Sequence, residues 1–200
     1  KRTIGCLKCM GESSYTDVEC IACAKTGDGQ AFRQLVERYE GQVAAIVVGM
    51  LGAGAEAEDV GQEVFIRFYE SLDKFRGDSA VGTYLTRIAI NLSLNAVERR
   101  KRMRWRFWSR DEAEDSPEYV GVDGREERSR QERSESVHVA LRQLDPAFRA
   151  VVVLRMLEGY STKETADLLD VAEGTVLSRL SRAMKKLEEI LKNEGNLSYE

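Results

Sequence analysis

The chain has 200 residues, of which 42% are hydrophobic and 32% charged; its net charge is −4, and it carries 16 glycines and 2 prolines. That balance excludes a disordered, collagen-like or Pro-rich chain, and with no run of about 18 uncharged apolar residues a membrane-spanning helix is excluded too. So few helix breakers favour an all-α protein, and Lys1 to Gly11 lacks an apolar leader, so a cytoplasmic location is expected.

In chain order, Thr16-Asp17-Val18-Glu19 has the form of a capping box that opens a helix ending near Gly27. Asp28 can cap the next helix, where Phe32, Leu35, Val36, Tyr39, Val43, Ile46, Val47 and Met50 recur at three- and four-residue steps, the stripe of a helix packed on one face. Gly52-Ala53-Gly54 breaks it. A third helix is predicted from about Ala55 to Leu72, with Val60, Val64, Phe65 and Phe68 inward. Phe75 to Ser79 reads as a loop. A fourth helix turns Val81, Tyr84, Leu85, Ile88 and Leu92 inward, carries Thr83, Arg87, Asn91 and Asn95 on another face, and runs into a basic block.

That block, Glu98 to Arg110, has seven basic residues against one acid, whereas Asp111 to Asp123 has six acids and no base. Adjacent blocks of opposite sign point to surfaces with different partners. From Ser109 to about Glu127 there is no apolar period, and a flexible linker is expected. Helix resumes before Val137. Asp145-Pro146 starts a helix predicted to end at Gly159; Ser161 to Glu164 is a second capping box, opening a short helix to Leu169. After Asp170-Val171-Ala172 comes a last helix from about Glu173 to Lys192, with Val176, Leu180, Ala183, Met184, Leu187 and Ile190 inward and Thr175, Ser178, Arg179, Arg182, Lys185 and Lys186 outward. Two helices joined by so short a turn, the second amphipathic and basic, describe a helix-turn-helix. The fold expected is all-α: two small helical domains (16–107 and 128–192) joined by an acidic flexible linker (108–127), with a Cys-containing extension (1–15) and a tail (193–200).

Several motifs resemble the extracytoplasmic-function (ECF) group, group 4, of sigma-70 family RNA polymerase sigma factors. They are Ala24-Lys25-Thr26-Gly27-Asp28, Ala57-Glu58-Asp59-Val60-Gly61-Gln62-Glu63-Val64-Phe65, Arg87-Ile88-Ala89-Ile90-Asn91, Leu144-Asp145-Pro146, Glu158-Gly159-Tyr160-Ser161, Gly174-Thr175-Val176 and Ser178-Arg179-Leu180. They stand in family order at family spacing, over about three quarters of the chain. Two departures are Tyr84-Leu85, where the family usually has Trp-Leu, and Leu177, where a basic residue is usual. The resemblance implies a promoter-specificity subunit. Asp59, Gln62, Glu63 and Ile66 would dock on the clamp helices of the polymerase's largest subunit. Phe75, Arg76, Asp78, Ser79, Thr83, Arg87, Asn91, Asn95, Arg99, Arg100, Lys101 and Arg102 would engage the −10 element, and Thr175, Ser178, Arg179, Ser181, Arg182 and Lys185 the −35 element of promoter DNA. The linker would follow a basic channel of the polymerase, and an anti-sigma factor would be a further partner.

Cys6, Cys9, Cys20 and Cys23 form two C-x2-C pairs with ten residues between them. That spacing suits a tetrahedral zinc site; a redox pair and inert thiols are the alternatives. No other cofactor is expected. A stand-alone helix-turn-helix regulator would use 162–192 but leave the Asp59 and Arg87 motifs idle. A thiol–disulfide enzyme would want strands around its C-x2-C, and none is visible. No nucleotide loop or Ser/His/Asp arrangement exists, so no catalysis is expected.

Overall fold

A computed structural model describes residues 15–77, 79–107 and 137–197, and among these every regular element is helical. The first half comprises α1 (Asp17–Lys25), α2 (Gly29–Leu51), α3 (Ala55–Ser71), a 3₁₀ turn (Leu72–Lys74) and α4 (Val81–Phe107). The second comprises α5 (137–143), α6 (Pro146–Val152), a π turn (Val153–Leu157), α7 (Thr162–Leu169) and α8 (Glu173–Leu197).

The helices begin where the sequence supplies an acceptor for their orphan N–H groups. The Glu19 amide donates to Thr16 Oγ1 at 3.4 Å, and Glu19 Oε2 accepts from the Thr16 amide at 2.9 Å. Ser161 and Glu164 repeat this, at 3.2 and 2.8 Å. Asp28 Oδ1 accepts from the amides of Gln30 and Ala31, and Asp145 Oδ1 from that of Ala147, with Pro146 at the first helical position. In the helix-turn-helix, α7 ends on Asp170 at φ 52, a left-handed conformation that a short polar side chain tolerates.

In the first half, Leu35, Ile46 and Met50 of α2 meet Val64 and Phe68 of α3 and Leu85 and Ile90 of α4, all fully buried. The Phe68 ring lies 5.9–6.1 Å from those of Phe32, Phe75 and Tyr84. In the second half, Val152, Leu141 and Leu144 close over Ala183, while Val151 packs on Ala166 and Val176.

Two expectations are corrected here. The helix opened by Pro146 does not run as an α-helix to Gly159. It widens after Val152 into the π turn, in which the Glu158 amide donates to the Val153 carbonyl at 3.0 Å and the Tyr160 amide to Leu154 at 2.9 Å. The run Ala150 to Leu154 serves both halves: Val151 and Val152, at the end of α6, pack in the second half's own core, while Ala150 and, in the π turn, Val153 and Leu154 join the core of the first half. Met184, expected inward on α8, is 43% exposed; Ala183, fully buried beside it, takes the contact with α6.

The two halves therefore pack against one another. Gly49 of α2 makes this possible: a Cβ there would stand 3.0 Å from Val153 Cγ2. Gly52, the C-cap of α2 at φ 85, likewise lies under the Arg142 side chain, 3.1 Å from where a Cβ would be.

His138, the only histidine, is half-buried in α5, with Nδ1 lacking a partner among the described residues. Burial first, then the Arg142 charge, hold its imidazole below the ordinary value of 6.5. As pH falls below 6.5 the unfolded chain takes up a proton that the folded chain refuses, so this group's contribution to stability declines until the lower folded value is reached. The melting temperature should fall as pH drops through about 6.5, and His138→Gln should flatten that part of the profile.

Candidate nucleic-acid and polymerase interface

Three surfaces gather the polar residues singled out by the sequence. On α3, Asp59, Gln62 and Ile66 are exposed and Glu63 is half-buried, bonded to Arg67 at 2.8 Å. Ile66 and Tyr69 are each about half exposed, so apolar surface lies among these carboxylates and the amide. An acidic rim around an apolar patch suits a helical protein partner better than a nucleic acid.

On α4, Arg87, Asn91 and Asn95 recur every four residues and are all exposed, while Leu85, Ala89, Ile90, Leu92 and Ala96 around them are buried. Thr83 is half-buried. The preceding loop is tied down by Lys25, whose Nζ donates to the Phe75 carbonyl at 2.7 Å. Arg76 and Ser79 are exposed; Asp78 lies outside the described residues. Phe75 itself is buried, edge-on to Tyr84 at 5.2 Å between centroids. Its ring therefore belongs to the core rather than to an open pocket wall. Arg99, Arg100, Lys101 and Arg102 are exposed. Arg99 (3.1 Å) and Arg100 both pair with Glu56 of α3.

On α8, Ser178, Ser181, Arg182 and Lys185 are exposed and Thr175 and Arg179 are half-buried. The Ser178 hydroxyl donates to the Thr175 carbonyl at 3.0 Å. Val176 and Ala183, fully buried, fix the helix so that this polar face points outward. Arg guanidiniums on the first turns of such a helix can pair bidentately with guanine in a major groove and release counterions from phosphate.

Family models place the same features in order. Sigma-70 region 2 matches residues 35–103 and sigma-70 region 4 matches residues 134–187. The RNA polymerase sigma-H factor of Pseudomonas aeruginosa is 34% identical over 183 residues, 88% of this chain and 93% of that one. The ECF RNA polymerase sigma-E factor of Escherichia coli K12 is also 34% identical, over 86% of this chain and 93% of its own. The chain belongs to the ECF sigma factors. Among solved structures, CnrH, in complex with the cytosolic domain of CnrY, superposes with a TM-score of 0.60 at 28% identity, covering 90% of this chain and 99% of that one. The sigma factor RpoE of Bartonella quintana, in complex with the anti-sigma factor NepR, shares the fold at a TM-score of 0.62 and 23% identity, covering 80% of this chain and 96% of that one. This sigma factor is a promoter-directing, DNA-binding subunit of RNA polymerase, of a family that is not enzymatic in general.

The cysteine tetrad is split by the described residues. Cys6 and Cys9 lie outside them. Cys20 is 1% exposed, packed in the first half's core, with its thiol 3.6 Å from Gln34 Oε1. Burial pushes that thiol above its ordinary value. Cys23, one turn on, is half-buried. Among the described residues no group of three His, Cys, Asp or Glu side chains is placed to hold a metal, and no helix is long and apolar enough to cross a membrane.

What the residue patterns did not reveal is the contact between regions 2 and 4 of this sigma factor. Tyr160 donates or accepts with Thr86 Oγ1 at 2.8 Å, and Gln42 Nε2 reaches the same hydroxyl at 3.0 Å. Arg87 Nη2 donates to the Asp167 carbonyl at 3.1 Å. Arg149, only 6% exposed, donates to the carbonyls of Met50, Arg142 and Leu144, joining the end of α2 to the end of α5. Burial, then the charges of Arg142 and Arg100, lower its value from 12.5 to about 10, which still leaves it cationic at neutral pH. The signal was present in the unbroken run Ala150 to Leu154: a turn that is apolar all round must be buried on every side. Arg149→Met should destabilise the chain by about 2–3 kcal/mol, since three carbonyls lose a charged donor. A lowered denaturant midpoint, read alongside the loss of a cross-link between cysteines placed on α2 and α6, checks this.

Proposed function

We propose that residues 16–107 dock on core RNA polymerase and capture the opened −10 strand, and that residues 128–192 set α8 in the major groove of the −35 element. The observation that carries this reading is the exposed ladder Arg87, Asn91 and Asn95, standing out of the largely buried first part of α4, up to Val97. Amides and a guanidinium on one face can bond to the edges of unstacked bases, and Arg76 and Ser79 extend the surface into the loop. Arg99 to Arg102 hold phosphate. Phe75 supports this surface from beneath, through Tyr84. Asp59, Gln62, Glu63 and Ile66 meet the clamp helices of the largest subunit, and Thr175, Ser178, Arg179, Ser181, Arg182 and Lys185 face the −35 element. The acidic segment 108–127, outside the described residues, suits a basic channel of the polymerase. The protein acts in the cytoplasm, where the polymerase is, and is not itself an enzyme.

The packed halves set the order of events. While Arg87 is held by the Asp167 carbonyl and α7 lies against α4, the −10 face is partly covered, yet the −35 face of α8 is exposed. Core polymerase binding parts the halves and fixes them at promoter spacing, so each weak DNA contact raises the effective concentration of the other. An anti-sigma factor, as seen bound to the RpoE structure, would compete for the same surfaces.

Arg179→Ala and Arg182→Ala should each cut −35-dependent transcription about tenfold, the loss expected for one charged base or phosphate contact, while core polymerase still co-purifies. Asp59→Ala with Gln62→Ala should instead weaken co-purification. Normal transcription from the first two, or unchanged association of the double variant, would contradict the assignment.

The cysteines supply a separate question. A zinc site at Cys6, Cys9, Cys20 and Cys23 needs the Cys20 sulfur to leave its place beside Gln34, so its burial favours a packed thiol. Purified protein should therefore contain well under one chelator-releasable zinc per chain. One equivalent of zinc, lost with Cys6→Ser, would establish the four-thiolate site.

A further inference from the structure

One residue on the outer side of α8 stands apart from the polar set described above. Leu177, the fifth residue of the helix, is 56% exposed, more than any other apolar side chain described there. The core does not use it: Val176 beside it is fully buried and packs with Val151 and Ala166. It also stands where ECF sigma factors usually carry a basic residue. Neither packing nor charge accounts for a leucine in water at this point.

A helical side chain leans toward the N-terminal end of its helix, over the residues three and four places before it. For Leu177 these are Gly174 and Glu173, both exposed, and the space above the Gly174 backbone is open. The leucine therefore covers the first turn of α8, the part of a recognition helix that enters a major groove. Four residues on, Ser181 is exposed and sets a hydroxyl beside it. No cation stands three or four residues from Leu177 in either direction, and Glu173 adds a negative charge. This ground is unsuited to phosphate, and the cations of α8, from Arg179 to Lys186, all come later in the helix.

Among the four bases, thymine alone offers an apolar group in the major groove, its C5 methyl, next to the O4 acceptor. The others present donors and acceptors there, which a leucine would strip of water and leave unpaired. We propose that Leu177 is a specificity-determining residue of this sigma factor: it packs on the methyl of one thymine in the −35 element, with the Ser181 hydroxyl beside it to donate to O4. The assignment rests on the reading that α8 lies in the −35 major groove. Met184 and Leu191 follow Leu177 at steps of seven and suit a protein partner instead. They lie about 10 and about 21 Å further along the axis, outside the turns that enter a groove, whereas Leu177 lies within two residues of Thr175 and Ser178 on the DNA-facing side.

The test uses holoenzyme reconstituted from core polymerase and the full chain, on a promoter whose −35 element is selected from a randomised pool. Each thymine of that element, on either strand, is replaced in turn by uracil, which lacks only the methyl. At one position the change should weaken binding by the wild type about fourfold, the effect of one buried carbon. Leu177→Ala should bind thymine and uracil equally at that position. It should also keep the slope of log affinity against log salt, which loss of a phosphate contact would lower by about 0.9. Leu177→Arg should move the preferred base there from thymine to guanine. A selected element without thymine, or wild-type indifference to uracil at every thymine, would overturn the proposal, as would full discrimination retained by Leu177→Ala. Weakened co-purification of Leu177→Ala with core polymerase would overturn it too, and assign Leu177 to a protein contact with Met184 and Leu191. If wild-type holoenzyme selected no base anywhere upstream of the −10 element, the placing of α8 would fail first and take Leu177 with it.

Discussion

The arrangement depends on one turn of chain that has no solvent side. Ala150 to Leu154 are five consecutive buried residues, and a single α-helical stripe cannot satisfy five in a row. The run is shared out: Val151 and Val152, at the end of α6, enter the second half's own core, and Ala150, Val153 and Leu154 enter that of the first half, the last two from the π turn. Val153 and Leu154 leave water by entering region 2, over the bare backbone of Gly49. Arg149, next in line, brings the charge that satisfies the carbonyl ends of two helices. Region 4 of this sigma factor is thus a unit of four helices, α5 to α8, whose second helix presents apolar residues beyond its own core.

That constraint has a functional consequence. Hydrophobic burial is strong but indifferent to partner, so the face that now meets α2 can meet another apolar surface when the halves separate. The polar contacts around it, Tyr160 with Thr86 and Gln42, and Arg87 with Asp167, select the present partner by geometry, and each is weak enough to be exchanged. In the packed form Arg87 is committed to the Asp167 carbonyl; the proposed contact with DNA would call on the same guanidinium, so the two would be alternatives.

Charge is arranged on similar lines. The net value of −4 conceals an acidic, partly apolar face on α3, a polar ladder on α4, a basic C-terminal end of the same helix and a basic outer face on α8. Glu56 stands between the first and third of these and pairs with Arg99 and Arg100. The separation of signs over a few tens of ångströms lets one small subunit address a protein and a polyanion together.

Much of this was decided locally. Thr16, Asp28, Asp145 and Ser161 fix helix starts because the groups they satisfy lie within three residues of them, and the helical period of Val60, Val64 and Phe68 selects an inner face whatever it packs against. The exposed polar residues of α3, α4 and α8 follow from those faces by subtraction. Phe75 and Met184 did not follow: a loop aromatic and the edge of a stripe are placed by what lies opposite, Tyr84 in one case and the preference for Ala183 in the other. The union of the two halves, the burial of Arg149 and the enclosure of Cys20 likewise depend on residues up to about a hundred positions apart, such as Met50 and Arg149. Periodicity encodes which side of a helix avoids water; which other helix provides the shelter is settled only when shapes meet, because burial free energy depends on area and fit and carries no sequence address.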